Sequence, residues 1–170
     1  MNTKFKVFDD KNLIWANIKK VLYYIVISLA MVFLYSLLVG YEYRLVASGS
    51  MTPTIPVHSI VMIQPIDYED IKVGDIVTYK STNTTGTIYY FTHRVVRIAD
   101  NGNIVTGGDA NRDPETGVVK EDGEIVESRV IGKVVLHSYL TGEFIWQFKQ
   151  FPFQYVICIA ILFFSYLIFS

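Results

Sequence analysis

The sequence predicts a mainly β protein, an antiparallel β domain carried by an N-terminal and a C-terminal transmembrane helix. Two uncharged apolar runs lie near the ends of the 170-residue chain, and each is about 19 residues long, enough to cross a hydrocarbon core of roughly 30 Å. Between them, short β-branched runs are separated by Gly, Asn, Asp and Pro, a texture that favours antiparallel strands. We therefore expect one folded domain over residues 40–140.

The N-terminal segment predicts a membrane anchor with its N-terminus inside the cell. Residues 1–20 carry five lysines against two aspartates, so they read as a basic cytoplasmic tail before a transmembrane helix over residues 21–39. A cleaved secretory signal is the alternative. The run exceeds the usual roughly 7 to 15 apolar residues of such signals, and Leu45-Val46-Ala47 is a poor cleavage site.

The C-terminal segment predicts a return through the bilayer. Residues 141–151 mix aromatic side chains such as Trp146 with polar ones, which suits an interfacial segment, and residues 152–170 form the second uncharged run. We expect a multi-pass protein of the cell membrane with its β domain on the extracytoplasmic side, in contact with the lipid bilayer.

Strand and turn signals divide the β domain. The expected strands are Ser59 to Gln64, Asp75 to Lys80, Thr87 to Ile98, Ile104 to Thr106 and Val130 to His137. Asn101-Gly102 predicts a tight hairpin between the third and fourth of these, and Asp122-Gly123 is a second turn signal.

Charge and cysteine content exclude several function classes. The net charge is −1 and no basic cluster is interleaved with aromatics, so nucleic-acid binding is not expected. The single cysteine, Cys158, rules out an internal disulfide and a thiolate cluster. Histidines and carboxylates show no metal-ligand spacing, and we expect neither a metal nor another cofactor.

A hydroxyl on a tight turn follows the first apolar run. In Ser48-Gly49-Ser50-Met51-Thr52-Pro53-Thr54, Gly49 permits a bend and Pro53 stiffens the exit, so Ser50 could be mounted as a nucleophile. The alternative is an ordinary linker after a membrane anchor.

A serine nucleophile needs a base, and His93 is the best placed of the three histidines. Strand alternation puts His93 on one face with Phe91 and Val95, and an imidazole can accept a proton near neutral pH. A buried structural histidine is the alternative. His58 and His137 fall at a strand edge and a strand end, where a structural role is the simpler interpretation.

Acidic residues that could orient the imidazole follow the hairpin after the His93 strand. Asp109 and Asp113 lie in Thr106-Gly107-Gly108-Asp109-Ala110-Asn111-Arg112-Asp113-Pro114, which the hairpin should bring back toward His93. A carboxylate there could fix the tautomer of the imidazole. The alternative is a self-capping turn without chemistry.

Taken in order, these segments resemble type I signal peptidases of the serine-histidine branch, found in the endoplasmic reticulum, archaea and some Gram-positive bacteria. The resemblance rests on four motifs: Ser48 to Thr54, Val73-Gly74-Asp75-Ile76-Val77, Thr92-His93-Arg94-Val95, and Gly108-Asp109-Ala110-Asn111 with the later Asp113-Pro114. Gly107 stands where the family's motif usually has lysine, and Asp113 follows Asp109 more closely than is usual.

The resemblance implies a signal-peptidase-like β fold and a membrane-bound serine endopeptidase that cleaves signal peptides from exported preproteins. It implies Ser50 as nucleophile and His93 as base in place of lysine. Either Asp113 or Asp109 could complete the triad; Asp113 is preferred as the triad acid, with Asp109 as a structural or auxiliary carboxylate. The backbone N–H of Ser50 and the hydroxyl of Ser48 would form the oxyanion hole.

Two alternatives stay open from the sequence: a catalytically inert membrane-anchored β module in secretion or assembly, and a membrane serine protease with one dedicated substrate. The expected partners are signal-peptide-bearing preproteins and, in addition, neighbours in the secretion machinery.

Overall fold

The structure is a computed structural model that describes residues 3–157 and residue 161. The chain divides into two compact units, one ending at Tyr41 and the other beginning at Glu42. In the order of the chain the elements are α1 (Thr3–Leu38), β1 (Glu42–Leu45), β2 (Ile60–Gln64), β3 (Ile76–Thr82), β4 (Ile88–Ile98), β5 (Ile104–Gly107), β6 (Gly123–Ile125), β7 (Val130–Ser138) and α2 (Tyr139–Gln150). Two short 3-10 helices, Tyr68–Asp70 and Glu127–Arg129, complete the set.

The first unit consists mainly of α1, and its segment Leu13–Leu38 is long and apolar enough to cross a membrane. At about 1.5 Å per residue, 26 residues span roughly 39 Å, more than the roughly 30 Å of a hydrocarbon core. A helix suits that role because it satisfies every backbone hydrogen bond internally. The sequence predicts that a cytoplasmic tail ends and a transmembrane helix begins at residue 20. The structure has one continuous helix through this position.

The second predicted membrane helix, residues 152–170, lies largely outside the described residues, as does Cys158. Residues 152–157 are helical. Within the described part of the chain, Leu13–Leu38 is the one helix that meets the length and apolarity needed to span a bilayer.

The second unit is built on a seven-stranded sheet in the order β1-β2-β7-β3-β4-β5-β6. Every neighbouring pair is antiparallel, so the predicted mainly β, antiparallel fold is confirmed. All five predicted strands are present to within two residues, and Asn101-Gly102 joins β4 to β5 as expected. The sequence prediction missed β1 and β6, which have four and three residues, too short to show alternation.

Two buried clusters form the core of this unit. One gathers Ile71, Val77, Tyr79, Val95, Ile104 and Ile125, and the other gathers Met51, Ile55, Val61 and Ile63. Burying each such side chain is worth about 1.5–3 kcal/mol. The second cluster matters for function, because Met51 and Ile55 come from the turn that follows Ser50.

The helix α2 follows β7 directly. Its first turn is capped by Ser138, whose hydroxyl accepts a hydrogen bond from the Thr141 N–H, the usual way to satisfy a free donor at a helix start. Gly142 is buried directly against the backbone of His58 and Ser59. A Cβ at Gly142 would overlap that backbone, so the glycine allows the helix to pack closely on the loop before β2.

Candidate active site

The turn that carries Ser50 is fixed by hydrogen bonds and by burial. The Thr52 N–H and hydroxyl both donate to the Gly49 carbonyl, at 3.0 and 2.6 Å, and the Ile55 N–H donates to the Met51 carbonyl at 2.9 Å. Met51 and Ile55 are each at most 1% exposed. Their burial anchors the turn on both sides, so the Ser50 side chain is held at the surface of a rigid segment.

The glycine that this site requires is Gly108 rather than Gly49. A Cβ at Gly49 would make ordinary contacts only, at 3.6 Å or more, so the bend that the sequence suggested there does not depend on glycine. A Cβ at Gly108 would lie 2.6 Å from the Ser50 carbonyl oxygen, which is a clash. The Ala110 N–H donates to that same carbonyl at 2.9 Å, so the loop 108–110 packs directly behind Ser50.

His93 and Ser50 lie within hydrogen-bond distance. The Nε2 atom of His93 is 2.9 Å from the Ser50 Oγ, although the two residues are 43 positions apart. His93 is 6% exposed on β4, and the rings of Tyr79 and Phe91 lie beside its imidazole, with centroids at 6.3 and 6.1 Å. A strand and two aromatic neighbours therefore aim the imidazole at the hydroxyl.

The other nitrogen of His93 faces a carboxylate that is not among the predicted site residues. Its Nδ1 lies 2.5 Å from Asp122 Oδ2, and the Asp122 side chain is 26% exposed. Asp122-Gly123, interpreted as a turn, instead leads into β6, which begins at Gly123, and the Asp122 N–H donates to the Thr106 carbonyl at 2.8 Å. Asp122 reaches His93 across β5, which pairs with both β4 and β6, and no local pattern in the sequence indicates such long-range pairing.

Two hydroxyls support Asp122 from inside the domain. The Thr106 Oγ1 lies 3.2 Å from Asp122 Oδ2 and 3.3 Å from the Tyr79 hydroxyl. Thr106 is fully buried and Tyr79 nearly so, and that burial raises the pKa of the Tyr79 hydroxyl above its ordinary value of 10.0. Tyr79 therefore stays protonated, and its neutral hydroxyl contacts Thr106, whose own hydroxyl is the one beside the Asp122 carboxylate.

Asp113, expected to be the triad acid, is not the hydrogen-bond partner of His93. Its Oδ1 accepts from the Thr116 N–H at 2.7 Å, from the Thr116 hydroxyl at 3.0 Å and from the Glu115 N–H at 3.0 Å. These bonds lower the pKa of Asp113 below 3.8, the Thr116 N–H contributing most. Asp113 is exposed and forms the self-capping turn that is the alternative interpretation of this segment. An aspartate before proline commonly opens such a turn.

Asp109, expected as a structural or auxiliary carboxylate, forms a largely buried ion pair with Arg94, which is the structural alternative. Arg94 donates to it through Nε and Nη2 at 2.8 and 2.7 Å, and the Thr54 hydroxyl donates at 2.6 Å. The Arg94 hydrogen bonds are the largest cause of a pKa below 3.8 for Asp109. Arg94 also donates to the Gly74 carbonyl at 2.8 Å, so this network ties together residues of all four sequence motifs.

Ser48 lies beside the candidate nucleophile. Its hydroxyl oxygen is 3.3 Å from the Ser50 Oγ, and the side chain is exposed. The Ser48 hydroxyl can therefore reach a group attached to the Ser50 oxygen.

The two remaining histidines lie elsewhere. The His58 ring stacks on Trp146, with centroids 4.0 Å apart, and its Nδ1 is 2.9 Å from Glu143 Oε2, whereas His137 is exposed on β7. Lys72 and Lys80 are also exposed. No group of three metal-ligating side chains occurs among the described residues.

A cleft of about 630 Å³ opens beside Ser50 and His93. One wall is the segment from Tyr43 to Ser48, which includes most of β1, and the other is the start of β4 from Ile88 to His93. Met51, Ile55 and Val61 line it from the core side. The space is therefore mostly apolar, and Ser50 and His93 are among the residues that line it.

A comparison with known protein families identifies the family to which this chain is related. A model of the family described as Signal peptidase, peptidase S26 matches residues 18–106, a little over half of the 170 residues. The match includes Ser48, Ser50 and His93, and it ends before Asp109, Asp113 and Asp122. No curated protein matches the chain. The chain belongs to the signal peptidase family, peptidase S26.

Proposed function

We propose that this protein is a membrane-bound serine endopeptidase that cleaves signal peptides from exported preproteins with a Ser50-His93-Asp122 triad. The observation that carries the proposal is the unbroken hydrogen-bonded line of these three side chains, with 2.9 Å from Ser50 Oγ to His93 Nε2 and 2.5 Å from His93 Nδ1 to Asp122 Oδ2. A base within about 2.6–3.2 Å of the nucleophile, itself oriented by a third group, is the geometry that activates a serine.

In this mechanism His93 accepts the Ser50 proton as Ser50 Oγ attacks the scissile carbonyl, and it later gives that proton to the leaving amine. Asp122 holds the proton on His93 Nδ1 and stabilises the imidazolium. Because the Ser50 hydrogen points to His93, the Ser48 hydroxyl is free to turn toward the developing oxyanion. The Ser50 N–H would supply the second donor, and each such donor is worth about 10² to 10³ in kcat.

The cleft supports a peptide substrate in extended form. Among the described residues, β1 pairs with β2 alone, and β4 pairs with β5 only from Arg94 onward. Residues 88–93 of β4 therefore keep one backbone edge without a strand partner in the described chain. An extended peptide can add to such an edge by main-chain hydrogen bonds while its side chains enter pockets.

The membrane location is part of the proposal. The span Leu13–Leu38 suggests membrane anchoring, and the lysines before it favour a cytoplasmic N-terminus, which puts the β domain on the extracytoplasmic side with its preprotein substrates. To check this, Asn83→Cys in a Cys158→Ser background should react with an impermeant thiol reagent in intact cells. Reaction only after lysis would contradict the orientation.

The test of the function is cleavage of a preprotein by the full chain in detergent. With a substrate that carries Ala-x-Ala before the cleavage site, N-terminal sequencing should find one new terminus directly after the second alanine. Ser50→Ala and His93→Ala should lose at least about 10⁴ in kcat, while Ser128→Ala and Lys80→Ala, which change exposed residues that are not among those lining the cleft, should keep the parent rate. Full activity in Ser50→Ala would overturn the proposal, and so would a dead Lys80→Ala variant that is folded.

A further inference from the structure

Arg44 reaches across the cleft from one wall to the other. It lies on β1, and its guanidinium carbon is 3.6 Å from the centroid of the Tyr90 ring on β4. Both residues line the cleft beside Ser50. A guanidinium within about 6 Å of an aromatic ring is attracted by the ring's negative face, so this contact fixes the position of Arg44.

Glu42 fixes the outer part of the same side chain. Its Oε2 accepts a hydrogen bond from Arg44 Nη2 at 2.6 Å, so the charge of the guanidinium already has a partner. The Nε of Arg44, in contrast, is buried and has no hydrogen-bond partner among the described residues. A buried donor without an acceptor costs free energy that an incoming acceptor removes.

The position of this donor matches the path of a bound peptide. Arg44 and Ser48 are four residues apart and β1 ends at Leu45, so their Cα atoms are separated by at most about 13 Å, at roughly 3.3 Å per residue. A peptide whose scissile carbonyl lies at Ser50 therefore reaches Arg44 within about four residues. Because the guanidinium charge is neutralised by Glu42, a neutral backbone carbonyl suits the free N–H better than a second carboxylate.

We propose that Arg44 is a substrate-binding residue of the endopeptidase, whose Nε–H donates to a backbone carbonyl of the peptide about four residues on the acyl side of the scissile bond. The inference rests on the proposed function, since that function puts the signal segment on the acyl side. Tyr90 and Glu42 position the guanidinium. The contact between Arg44 and Tyr90 across the cleft sets how many substrate residues the enzyme binds before the cleavage site.

The test uses two peptides with the same scissile bond, one with six residues on the acyl side and one with two, and the full chain in detergent. Arg44→Lys keeps the charge but removes the Nε donor. It should raise KM for the long peptide by about tenfold, because a hydrogen bond from a charged donor is lost, with kcat within twofold. KM for the short peptide should not change. Arg129→Lys, outside the cleft, should affect neither.

Equal changes for both peptides would show a structural role for Arg44 and overturn the inference, as would no change for either. Thermal unfolding by circular dichroism checks that Arg44→Lys is folded. If it is not, Tyr90→Leu releases the guanidinium from the other wall and should raise KM for the long peptide alone. These results are separate from the proposed function, which is tested by the Ser50→Ala, His93→Ala and Lys80→Ala variants.

Discussion

Two segments of the β domain meet at the candidate site, and they differ in how their sequence relates to their role. In Ser48 to Ile55 the functional groups are close neighbours in the chain, with Ser48 and Ser50 hydroxyls 3.3 Å apart and the buried Met51 and Ile55 as anchors. In Gly107 to Ile125 three aspartates do three different things. The first segment is organised locally, whereas the second takes its roles from strand pairing.

The contrast between the aspartates teaches that distance along the chain is a poor guide to the acid of a triad. Asp113 is closer in sequence to His93 and sits in an attractive motif, but its carboxylate closes its own turn. Asp122 is 29 residues from His93 and reaches it because β5 lies between β4 and β6. The register of a short strand decides which carboxylate faces the imidazole.

The largest predicted effect is the difference in kcat between substitutions of Asp122 and of Asp113. Asp122→Ala should lower kcat by about 10³ to 10⁴, because the imidazole loses the group that fixes its tautomer and stabilises its cation. Asp113→Ala should leave kcat within twofold. Preprotein cleavage at saturating substrate measures kcat for both variants. If Asp113→Ala is inactive while Asp122→Ala retains the parent rate, Asp122 is not the carboxylate that orients His93.

A smaller effect tests the local segment. Ser48→Ala should lower kcat by about 10² to 10³, since one oxyanion donor is removed from the transition state, with KM nearly unchanged. Ser128→Ala, an exposed serine, is the matched control. A rise in KM at constant kcat would instead place the Ser48 hydroxyl on the bound substrate.

The third effect concerns stability rather than rate. Asp109→Asn should cost about 2–3 kcal/mol at pH 7, because Arg94 loses the partner of a largely buried pair, while Glu121→Gln, which breaks the exposed pair with Arg97, should cost about 0–1 kcal/mol. Chemical unfolding of the full chain in detergent compares them. Equal costs would show that the pair does not hold the loop behind Ser50.

The pH dependence of that stability follows from the lowered pKa of Asp109. A carboxyl whose pKa is lower in the folded protein than its ordinary 3.8 stabilises the fold above that value, and the contribution is lost as the pH falls through the lower folded pKa. The parent should therefore lose its advantage over Asp109→Asn below about pH 4. An advantage that persists unchanged at pH 2 would contradict the ion pair.

Much of the fold could be predicted from the sequence, because long strands such as β4 show alternation and Asn101-Gly102 marks its turn. β1 and β6 could not, since strands of three or four residues carry no periodic signal. The pairing of Ser50 with His93 was a hypothesis from motif and face, and the structure brings these two side chains together. Asp122 was missed because its neighbour Gly123 reads as a turn residue, whereas its position depends on long-range pairing with Thr106.

The most direct test of the account is whether the Nδ1 proton of His93 is held by Asp122. A proton in a short hydrogen bond between imidazole and carboxylate gives a far-downfield ¹H NMR resonance, which ¹⁵N-histidine labelling assigns to Nδ1. His58→Gln removes the signal that the His58–Glu143 contact could add. In the His58→Gln background we expect a downfield resonance that persists in Asp113→Ala and disappears in Asp122→Ala. A resonance that survives Asp122→Ala and disappears in Asp113→Ala would contradict it.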